Sequence, residues 1–280
     1  MPLSRQPEEL PDLVTQLREA GCVYAEEEAA LLLETAGNEA ELAAMVERRV
    51  AGLPLEQVLG WAAFCGLRIL VDPGVFVPRR RTEALVARAV ALAPARPVVV
   101  DLCCGSGAVG AALLAALEDV ELYAVDVEPV AVRCARRNLP ADRVLEGDLF
   151  DPLPSTLRGH VDLLVVNAPY VPSDELRLMP PEARDHEPRV ALDGGGDGLD
   201  VHRRVAAAAL GWLRPGGRLL IETSVHQVDT ATALFTAAGL VPDAVVSDDL
   251  DVAIVTGIVT GIVTGPVDPA SCSPRRPVEA

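Results

Sequence analysis

The sequence predicts an α/β fold with a mostly parallel sheet of seven strands, preceded by a small helical domain. From residue 80 onwards, strand-length apolar runs alternate with helix-length amphipathic segments, which is typical of a parallel sheet covered by helices on both faces. Before residue 60 the apolar spacing is helical throughout. Half of the 280 residues are hydrophobic and 23% are charged, so the chain has enough apolar material for a substantial core.

The N-terminal part of the chain is predicted to form helices that pack on apolar faces. Three segments place apolar residues three and four apart: 9–21, 24–37 and 39–54. Residues 60–78 are rich in glycine, aromatic and β-branched residues, which favours a short hairpin. We therefore expect a helical domain at 1–59, a hairpin linker at 60–79, a main domain at 80–265 and a flexible, Pro-rich tail at 266–280.

The main domain is predicted to alternate strands with helices. The expected strands are 97–102, 121–126, 143–148, 161–167, 217–223, 240–246 and 251–259. The expected helices are 81–93, 109–118, 129–139, 201–213 and 227–239. The strands that follow Gly239 are too close in sequence for a crossover helix, so the last strand is expected to be antiparallel.

A four-residue unit, Ile-Val-Thr-Gly, occurs three times in succession at residues 254–265. The unit is too short to be the repeat of a solenoid. We interpret it as a slippage expansion that lengthens the final strand.

The charge balance excludes several kinds of partner. The chain has 24 basic residues, all of them arginine, against 41 acidic ones, a net charge of -17. This balance gives no electrostatic attraction to bare nucleic acid or to anionic membranes, so we expect no direct DNA binding and no membrane association. No apolar run reaches the length of a membrane span. The six cysteines form no C-x-x-C motif, which favours reduced thiols in a cytoplasmic protein.

A glycine-rich segment, "VVVDLCCGSGAVGAAL", follows the first strand of the main domain and begins a helix. Gly105, Gly107 and Gly110 match G-x-G-x-x-G, which alone is compatible with a dinucleotide site. However, Asp101 at the end of the strand would repel a pyrophosphate and attract the ammonium group of a methionine moiety. The loop is also longer than the tight turn of dinucleotide-binding proteins. These features favour S-adenosylmethionine as the cofactor.

Residues at three strand ends are expected to bind this cofactor. Asp126 would accept hydrogen bonds from both ribose hydroxyls, and Asp148 with Leu149 would lie beside the adenine. The loop residues that approach the cofactor are Cys103, Cys104, Gly105, Ser106 and Gly107, together with Asp101 before them and Asn167 on the fourth strand.

No metal ligands are expected in this chain. Adjacent thiols at 103 and 104, without histidine or C-x-x-C partners, make a poor zinc site. The segment "DGGGDGLD", residues 193–200, lacks the ligand spacing of a calcium loop. We expect it to be a flexible loop over the active site.

The stretch "VVNAPY" at the end of the fourth strand is the candidate catalytic motif, comprising Asn167, Ala168, Pro169 and Tyr170. Many methyltransferases that modify a planar nitrogen carry Asn-Pro-Pro-Tyr at such a place. An amide or aromatic amine nitrogen is a poor nucleophile because its lone pair is delocalised. An asparagine carbonyl and the next main-chain carbonyl would hold both of its hydrogens and orient that lone pair. Tyr170 would stack on the planar acceptor.

Together these motifs resemble the HemK/PrmC family of protein-(glutamine-N5) methyltransferases, over about residues 8–256. The stretch "LPLEQVLGWAAFCGLRILVDPGVFVPRRRTEALV" is similar to the linker of that family, with the Pro-Arg-x-x-Thr-Glu signature at Pro78, Arg79, Thr82 and Glu83. The stretches "HEPRVALDGGGDGLDVHRRV" and "LRPGGRLLIETSVHQ" are similar to the family's segments after the catalytic motif and around its fifth strand.

The resemblance implies a class I, Rossmann-like methyltransferase domain and an N-terminal domain that recognises a protein substrate. It implies methylation of a glutamine amide, which in the best-known members belongs to the Gly-Gly-Gln loop of peptide chain release factors. Residues 103–107, Asp126 and Leu149 would bind the cofactor, and residues 167–170 the glutamine. The chain departs from the family at Ala168 and at Cys103 and Cys104, which indicates a divergent subgroup.

Three alternatives remain open from the sequence. An adenine-N6 methyltransferase would need the same amine clamp, but also a basic face and a target-recognition domain, which the net charge and the short N-terminal helices disfavour. A module that binds the cofactor but has lost turnover would be compatible with Ala168. The motif could also be a simple Asn-Pro turn.

Overall fold

The computed structural model describes residues 9–247, 249 and 251–260. The predicted tail at 266–280 and residues 261–265 of the Ile-Val-Thr-Gly repeat lie outside the described residues.

The N-terminal region is helical and packs around its own apolar core. Its helices are α1 (Glu9–Glu19), α2 (Ala25–Thr35), α3 (Glu39–Val50) and α4 (Leu55–Leu59). Leu17, Leu32 and Met45 from the first three helices meet in this core, each at most 2% exposed. Helix α3 begins at Asn38, whose side chain accepts a hydrogen bond from the backbone amide of Glu41 at 2.9 Å. Helix α4 is only five residues long and lies within the region before residue 60 that was predicted to be helical.

A hairpin follows the helices and is tied to the main domain. Strands β1 (Trp61–Phe64) and β2 (Leu67–Leu70) pair antiparallel. Cys65 and Gly66 between them both have positive φ, 49° and 74°, as in the two-residue turns that suit hairpin twist. The side chain of Asn138 accepts from the amide of Leu70 at 3.0 Å and donates to its carbonyl at 2.9 Å. These two bonds attach the edge strand of the hairpin to the main domain.

The main domain is built on a seven-stranded sheet. Its strands are β3 (Val98–Leu102), β4 (Glu121–Asp126), β5 (Val144–Glu146), β6 (Val161–Val166), β7 (Leu213–Thr223), β8 (Val241–Ser247) and β9 (Val252–Ile258). They lie in the order β5-β4-β3-β6-β7-β9-β8. Strands β3 to β7 are mutually parallel, and β9 is antiparallel to both of its neighbours. The predicted fold class and the antiparallel last strand are confirmed.

The sheet is covered on both faces, which explains its continuous apolar strands. All six residues of β6 are buried. Leu164 and Val166 join one apolar core, while Leu163 and Val165 join another on the opposite face. Alternate side chains of a strand point to opposite faces, so a strand between two helical layers must be apolar at every position.

Helices of the main domain cover these two faces, except for a short one at Pro181–His186 that contributes to neither core. They are α5 (Glu83–Leu92), α6 (Ala108–Ala116), α7 (Pro129–Asn138), α8 (Pro181–His186), α9 (Asp200–Ala209) and α10 (Val228–Ala237). Within the described ranges, no helix combines the length and the apolar character required to cross a bilayer.

The prediction of a helix through residue 213 was wrong at its C-terminal end. Helix α9 stops at Ala209, and Leu213 already belongs to β7. Between them Trp212 stacks on Phe150, with ring centroids 5.5 Å apart, and its carbonyl accepts from the amide of Val161 at 3.0 Å. The apolar residues after Ala209 therefore serve the sheet, although their spacing also suits a helix.

A buried arginine connects the N-terminal helices to the main domain. Arg49 on α3 bonds both carboxylate oxygens of Glu28 on α2, at 2.6 and 3.0 Å, and donates to the carbonyl of Leu53 at 2.9 Å. It also pairs with Glu182 on α8 at 2.6 Å. The Arg49 side chain is 6% exposed and that of Glu28 10%. A buried charge of this kind is tolerated only while its partner is present.

We expect Arg49→Met to destabilise the protein strongly. Removing the guanidinium leaves the Glu28 carboxylate buried and unpaired, which costs about 3–5 kcal/mol in comparable cases. Chemical denaturation followed by circular dichroism would measure the change. The matched control is Arg18→Met, which removes the exposed ion pair with Glu26 and should leave the stability unchanged. Equal behaviour of the two variants would refute this role of Arg49.

Candidate active site

A cavity of about 340 Å³ lies at the carboxyl ends of β3, β4, β5 and β6. Parallel strands of an open α/β sheet deliver their following loops to this edge. The cavity is lined by all but one of the residues that the sequence marks for the site: Asp101, Cys103, Cys104, Gly105, Ser106, Asp126, Asp148, Leu149, Asn167, Ala168, Pro169 and Tyr170. The glycine-rich segment predicted to bind the cofactor and the candidate catalytic motif thus line the same cavity.

Gly107 is the predicted residue that does not line the cavity. It caps the N-terminus of α6 with φ 79°, and a Cβ there would lie 2.7 Å from a methyl group of Leu139. Gly107 therefore allows α6 to pack closely and to begin directly after the loop. Gly105 also has positive φ, 56°, and so does Cys103, 57°, a conformation that is unfavourable for a residue with a side chain.

Asp101 is buried at the base of the cavity. It is 2% exposed, and its Oδ2 accepts a hydrogen bond from the amide of Gly110 at 2.9 Å. Burial raises the pKa of Asp101 to about 7, against the opposing effect of the Gly110 bond, and the charge of Asp126 raises it further. Asp101 is thus poised between its protonated and ionised forms at neutral pH.

Asp126 ends β4 and uses each of its carboxylate oxygens once. Oδ2 accepts from the amide of Gly105 at 2.8 Å, and Oδ1 accepts from the amide of Glu128 at 2.9 Å. Burial raises its pKa, while these two hydrogen bonds lower it. A carboxylate oxygen can accept more than one hydrogen bond, so both oxygens keep acceptor capacity towards the cavity.

Asp148 and Leu149 follow β5 on the neighbouring wall of the cavity. Asp148 is half exposed and pairs with Arg204 on α9 at 2.6 Å. Leu149 is buried and has φ 50°, so its backbone turns sharply at the cavity wall. The ion pair fixes one side of this wall and the apolar side chain the other.

Asn167 follows β6 and is held by a residue from a distant part of the chain. Its Nδ2 donates to the hydroxyl of Thr82 at 3.3 Å, which leaves its Oδ1 available as an acceptor. Thr82 is 2% exposed and lines the same cavity. Within the described residues, no hydrogen-bond donor reaches the carbonyl oxygen of Ala168. Two neutral oxygen acceptors thus lie next to each other at the edge of the sheet.

Tyr170 is fixed at both ends. Its hydroxyl donates to Oε1 of Glu222 at 3.2 Å, and its carbonyl accepts from the side chain of Gln227 at 2.9 Å. The guanidinium of Arg81 lies over its ring, 5.7 Å from the centroid. Burial and the nearby charge of Glu222 raise the pKa of Tyr170, so the phenol remains protonated at neutral pH.

Sequence reasoning missed the residues that support this motif. Thr82 belongs to a quoted motif, but nothing in its spacing indicates contact with Asn167. Glu222 had a usable signal, because it stands near the carboxyl end of β7, the strand paired with β6. The rule that assigned Asp126 to the site, a polar residue at a strand end, would also have found Glu222.

Residues 193–200, expected to form a flexible loop over the active site, do not line the cavity and pack against the segment that follows the candidate catalytic motif. Backbone bonds join this loop to that segment, from Gly194 to the carbonyl of Val171 at 2.9 Å and from Ser173 to the carbonyl of Gly195 at 2.9 Å. A Cβ at Gly198 would lie 2.2 Å from the carbonyl oxygen of Tyr170. The glycines therefore allow this loop to pack closely against the main chain of Tyr170.

This chain is similar to known methyltransferases. A family model, the methyltransferase small domain, matches residues 66–179. A release factor glutamine methyltransferase of Geobacter sulfurreducens is 40% identical over 211 residues, covering 72% of each chain. A 4-amino-L-phenylalanine/4-methylamino-L-phenylalanine methyltransferase of Streptomyces pristinaespiralis is 38% identical over 203 residues, covering 69% of each. A solved methyltransferase structure from Pyrococcus furiosus shares the fold, with a TM-score of 0.53 and 14% identity over 78% of this chain and 98% of that one.

The fold and the matches define the chain as a methyltransferase. It belongs to the release factor glutamine methyltransferase family, HemK/PrmC, as its motifs indicate. The resemblance found in the sequence is confirmed.

We expect Asp101 to make the stability of the protein depend on pH. Its pKa is about 7 in the folded chain and about 3.9 in an unfolded one. The folded state therefore holds an extra proton between these values, and the free energy of unfolding falls as pH rises, by up to about 1.4 kcal/mol per unit. Asp101→Asn keeps the acceptor for Gly110 without titrating. It should be more stable than the parent at pH 8, with the difference closing towards pH 4, in thermal unfolding.

The control for this prediction is Asp142→Asn, at a side chain that is 82% exposed. This variant should follow the pH profile of the parent. If Asp101→Asn followed it as well, the proton held at Asp101 would have no effect on stability.

Proposed function

We propose that this protein transfers a methyl group from S-adenosylmethionine to the side-chain amide nitrogen of a glutamine in a protein, with a peptide chain release factor as the substrate. The observation that carries this proposal is the presence, in one cavity, of the Asp126 carboxylate and the free oxygens of Asn167 and Ala168. Membership of the family supports it. In this reading residues 1–59 recognise the protein substrate and residues 80–265 form the catalytic domain, in the cytoplasm.

The residues around the cavity fit S-adenosylmethionine. Asp126 keeps acceptor capacity on both oxygens, as the two ribose hydroxyls require. Asp101 at the base would face the ammonium group, whose charge favours the ionised form, so binding at neutral pH should release a proton. Gly105 allows the main chain to approach the cofactor closely. When bound, the cofactor supplies an electrophilic methyl group on its sulfonium.

The protein's own task is to prepare the acceptor nitrogen. Asn167 Oδ1 and the carbonyl of Ala168 would each accept one hydrogen of the glutamine amide, which orients the nitrogen lone pair towards the methyl group. The same two oxygens stabilise positive charge as it develops on the nitrogen. Tyr170 would stack on the planar amide. None of these steps needs a general base before methyl transfer. After transfer the methylated nitrogen would release one proton to water, while the electron pair of the broken C–S bond would remain on the cofactor's sulfur.

One assay identifies the molecule that accepts the methyl group. The purified protein is incubated with methyl-labelled S-adenosylmethionine and, separately, a release factor, the same release factor with the glutamine of Gly-Gly-Gln replaced by alanine, 4-aminophenylalanine, and DNA. We expect label only on the unmodified release factor, as one methyl group on glutamine in mass spectrometry. Label on the arylamine or on DNA alone would contradict the glutamine assignment. Cofactor binding without label on any acceptor would indicate lost turnover.

Asn167→Ala should remove activity and spare cofactor binding. Loss of one preorganised group of this kind costs about 10²–10³ in kcat, whereas the ribose contacts of Asp126 remain. Calorimetry with S-adenosylmethionine and the methylation assay measure the two effects. The matched control is Asn38→Ala, which removes only the cap of α3 and should retain full activity. Asn167, Ala168 and Tyr170, which would hold the glutamine amide, are called the acceptor clamp. Retained activity in Asn167→Ala would exclude Asn167 from this clamp.

Ala168→Pro should be tolerated and should stiffen the clamp. Ala168 is not among the residues with positive φ, and the oxygen that the clamp needs belongs to its main chain. Proline at a compatible position stabilises a protein by about 0.4–1 kcal/mol. We expect a higher melting temperature with kcat equal to or above that of the parent. A fall in kcat would show that the site has adapted to alanine.

A further inference from the structure

Two residues of the acceptor clamp depend on one buried carboxylate outside the cavity lining. Glu222 is 1% exposed. The hydroxyl of Tyr170 donates to its Oε1 at 3.2 Å, and Nε of Arg81 lies 3.8 Å from the same oxygen. Its other oxygen, Oε2, has no hydrogen bond of ordinary geometry within the described residues. A buried carboxylate oxygen without a donor is costly, so it attracts any proton that a nearby hydroxyl can turn towards it.

The hydroxyl of Thr82 is the nearby group that can turn. It lowers the pKa of the Glu222 carboxyl, which burial raises, so it lies near that carboxylate, although no hydrogen bond of ordinary geometry joins the two side chains. A threonine hydroxyl has a single proton. When this proton points to Glu222, the lone pairs of Oγ1 face the other way, towards the side chain of Asn167.

This arrangement decides which end of the Asn167 amide faces the acceptor. An asparagine amide can turn over and exchange its oxygen and nitrogen, with nearly the same shape. Only the NH₂ end can bond a Thr82 oxygen whose proton is already used, and the Nδ2 of Asn167 lies 3.3 Å from it. The carbonyl end then points away from Thr82, where it can accept from a substrate N–H.

We propose that Glu222 is a positioning residue for methyl transfer, which orients Asn167 through the hydroxyl of Thr82 and Tyr170 through a direct hydrogen bond. The inference rests on the proposed function, because it assigns Asn167 Oδ1 the task of accepting from the substrate. Glu222 touches neither substrate nor cofactor in this arrangement. It acts by fixing which atoms the clamp presents.

Surrounding groups keep the carboxylate in place. His202 on α9 is fully buried, and its Nε2 lies 3.1 Å from the main-chain oxygen of Glu222. Burial lowers the pKa of His202 to about 4, so the ring is neutral at pH 7 and its Nε2 donates to that oxygen. His202 therefore holds the main chain near the end of β7. The guanidinium of Arg81 lies near the Glu222 carboxylate and balances its negative charge.

The test uses variants that change the Thr82 hydroxyl or the Glu222 charge and keep the shape of the side chain nearly the same. Thr82→Val removes the hydroxyl through which Glu222 orients Asn167, a contact called the relay, and Thr82→Ser keeps it. Glu222→Gln removes the carboxylate charge that attracts the proton of the Thr82 hydroxyl. We expect kcat on the methyl acceptor to fall about 10- to 100-fold in Thr82→Val and Glu222→Gln, as for other groups that orient a ligand. Thr82→Ser should retain most of the activity, and the affinity for S-adenosylmethionine should stay the same in all three.

A matched control separates the relay from the mere loss of a buried hydroxyl. Thr256 on β9 is 1% exposed, and its Oγ1 has no hydrogen-bond partner within the described residues. Thr256→Val makes the same chemical change as Thr82→Val, far from Asn167 in sequence, and should keep full kcat. If Thr82→Val also kept full kcat, the inference would be overturned.

A second measurement does not depend on the identity of the acceptor. The side-chain amide signals of Asn167 in a ¹⁵N–¹H spectrum are assigned by their disappearance in Asn167→Ala. We expect these signals to move in Thr82→Val and Glu222→Gln and to stay in place in Thr82→Ser and Thr256→Val. Unmoved signals in the first two would refute the relay. A parent protein that methylates no acceptor would refute the proposed function alone, since the spectra still decide the orientation of Asn167.

Discussion

The parallel pairing of β3 with its two neighbours is the constraint on which the site depends. Its register places Asp101 beside Ala124 on one side and Val165 on the other, so the three strands end at the same edge. The chain must leave each strand there, and each exit carries a polar group. The main-chain hydrogen bonds of the sheet thus bring together residues that are far apart in sequence. The loops contribute shape, but the sheet decides where they begin.

Two buried carboxylates of the cavity, Asp101 and Asp126, are held by backbone amides. Glu187 and Glu222 lie near arginines instead, Arg79 at 2.6 Å and Arg81 at 3.8 Å. Backbone donors are fixed by the fold and carry no formal charge, so they hold an anion without neutralising it. Asp101 and Asp126 can therefore carry negative charge towards a cationic ligand, and ionisation of Asp101 lowers folding stability as pH rises through neutrality.

Sequence alone could predict the sheet and the residues that belong to single motifs. Strand ends, glycine-rich turns and the Asn-Ala-Pro-Tyr stretch are local patterns, and the structure places Asp126 and Asn167 in one cavity as those patterns suggest. The support of the clamp could not be predicted, because Thr82 and Asn167 are 85 residues apart and their contact arises only from packing. The C-terminal end of α9 was predicted wrongly for a related reason. The apolar residues after Ala209 suit a helix and a strand equally, and pairing with β6 decides between them.

Strand β9 has a consequence for the evolutionary history of the chain. It contains the first Ile-Val-Thr-Gly unit, and the side chains of a strand alternate between two faces. Because the unit has an even number of residues, gaining or losing a whole unit returns every later side chain to its former face. A change of one residue would instead exchange the two faces of the strand, which pack into different apolar cores. A change in the number of units therefore preserves the alternation of side chains that the two cores require of β9.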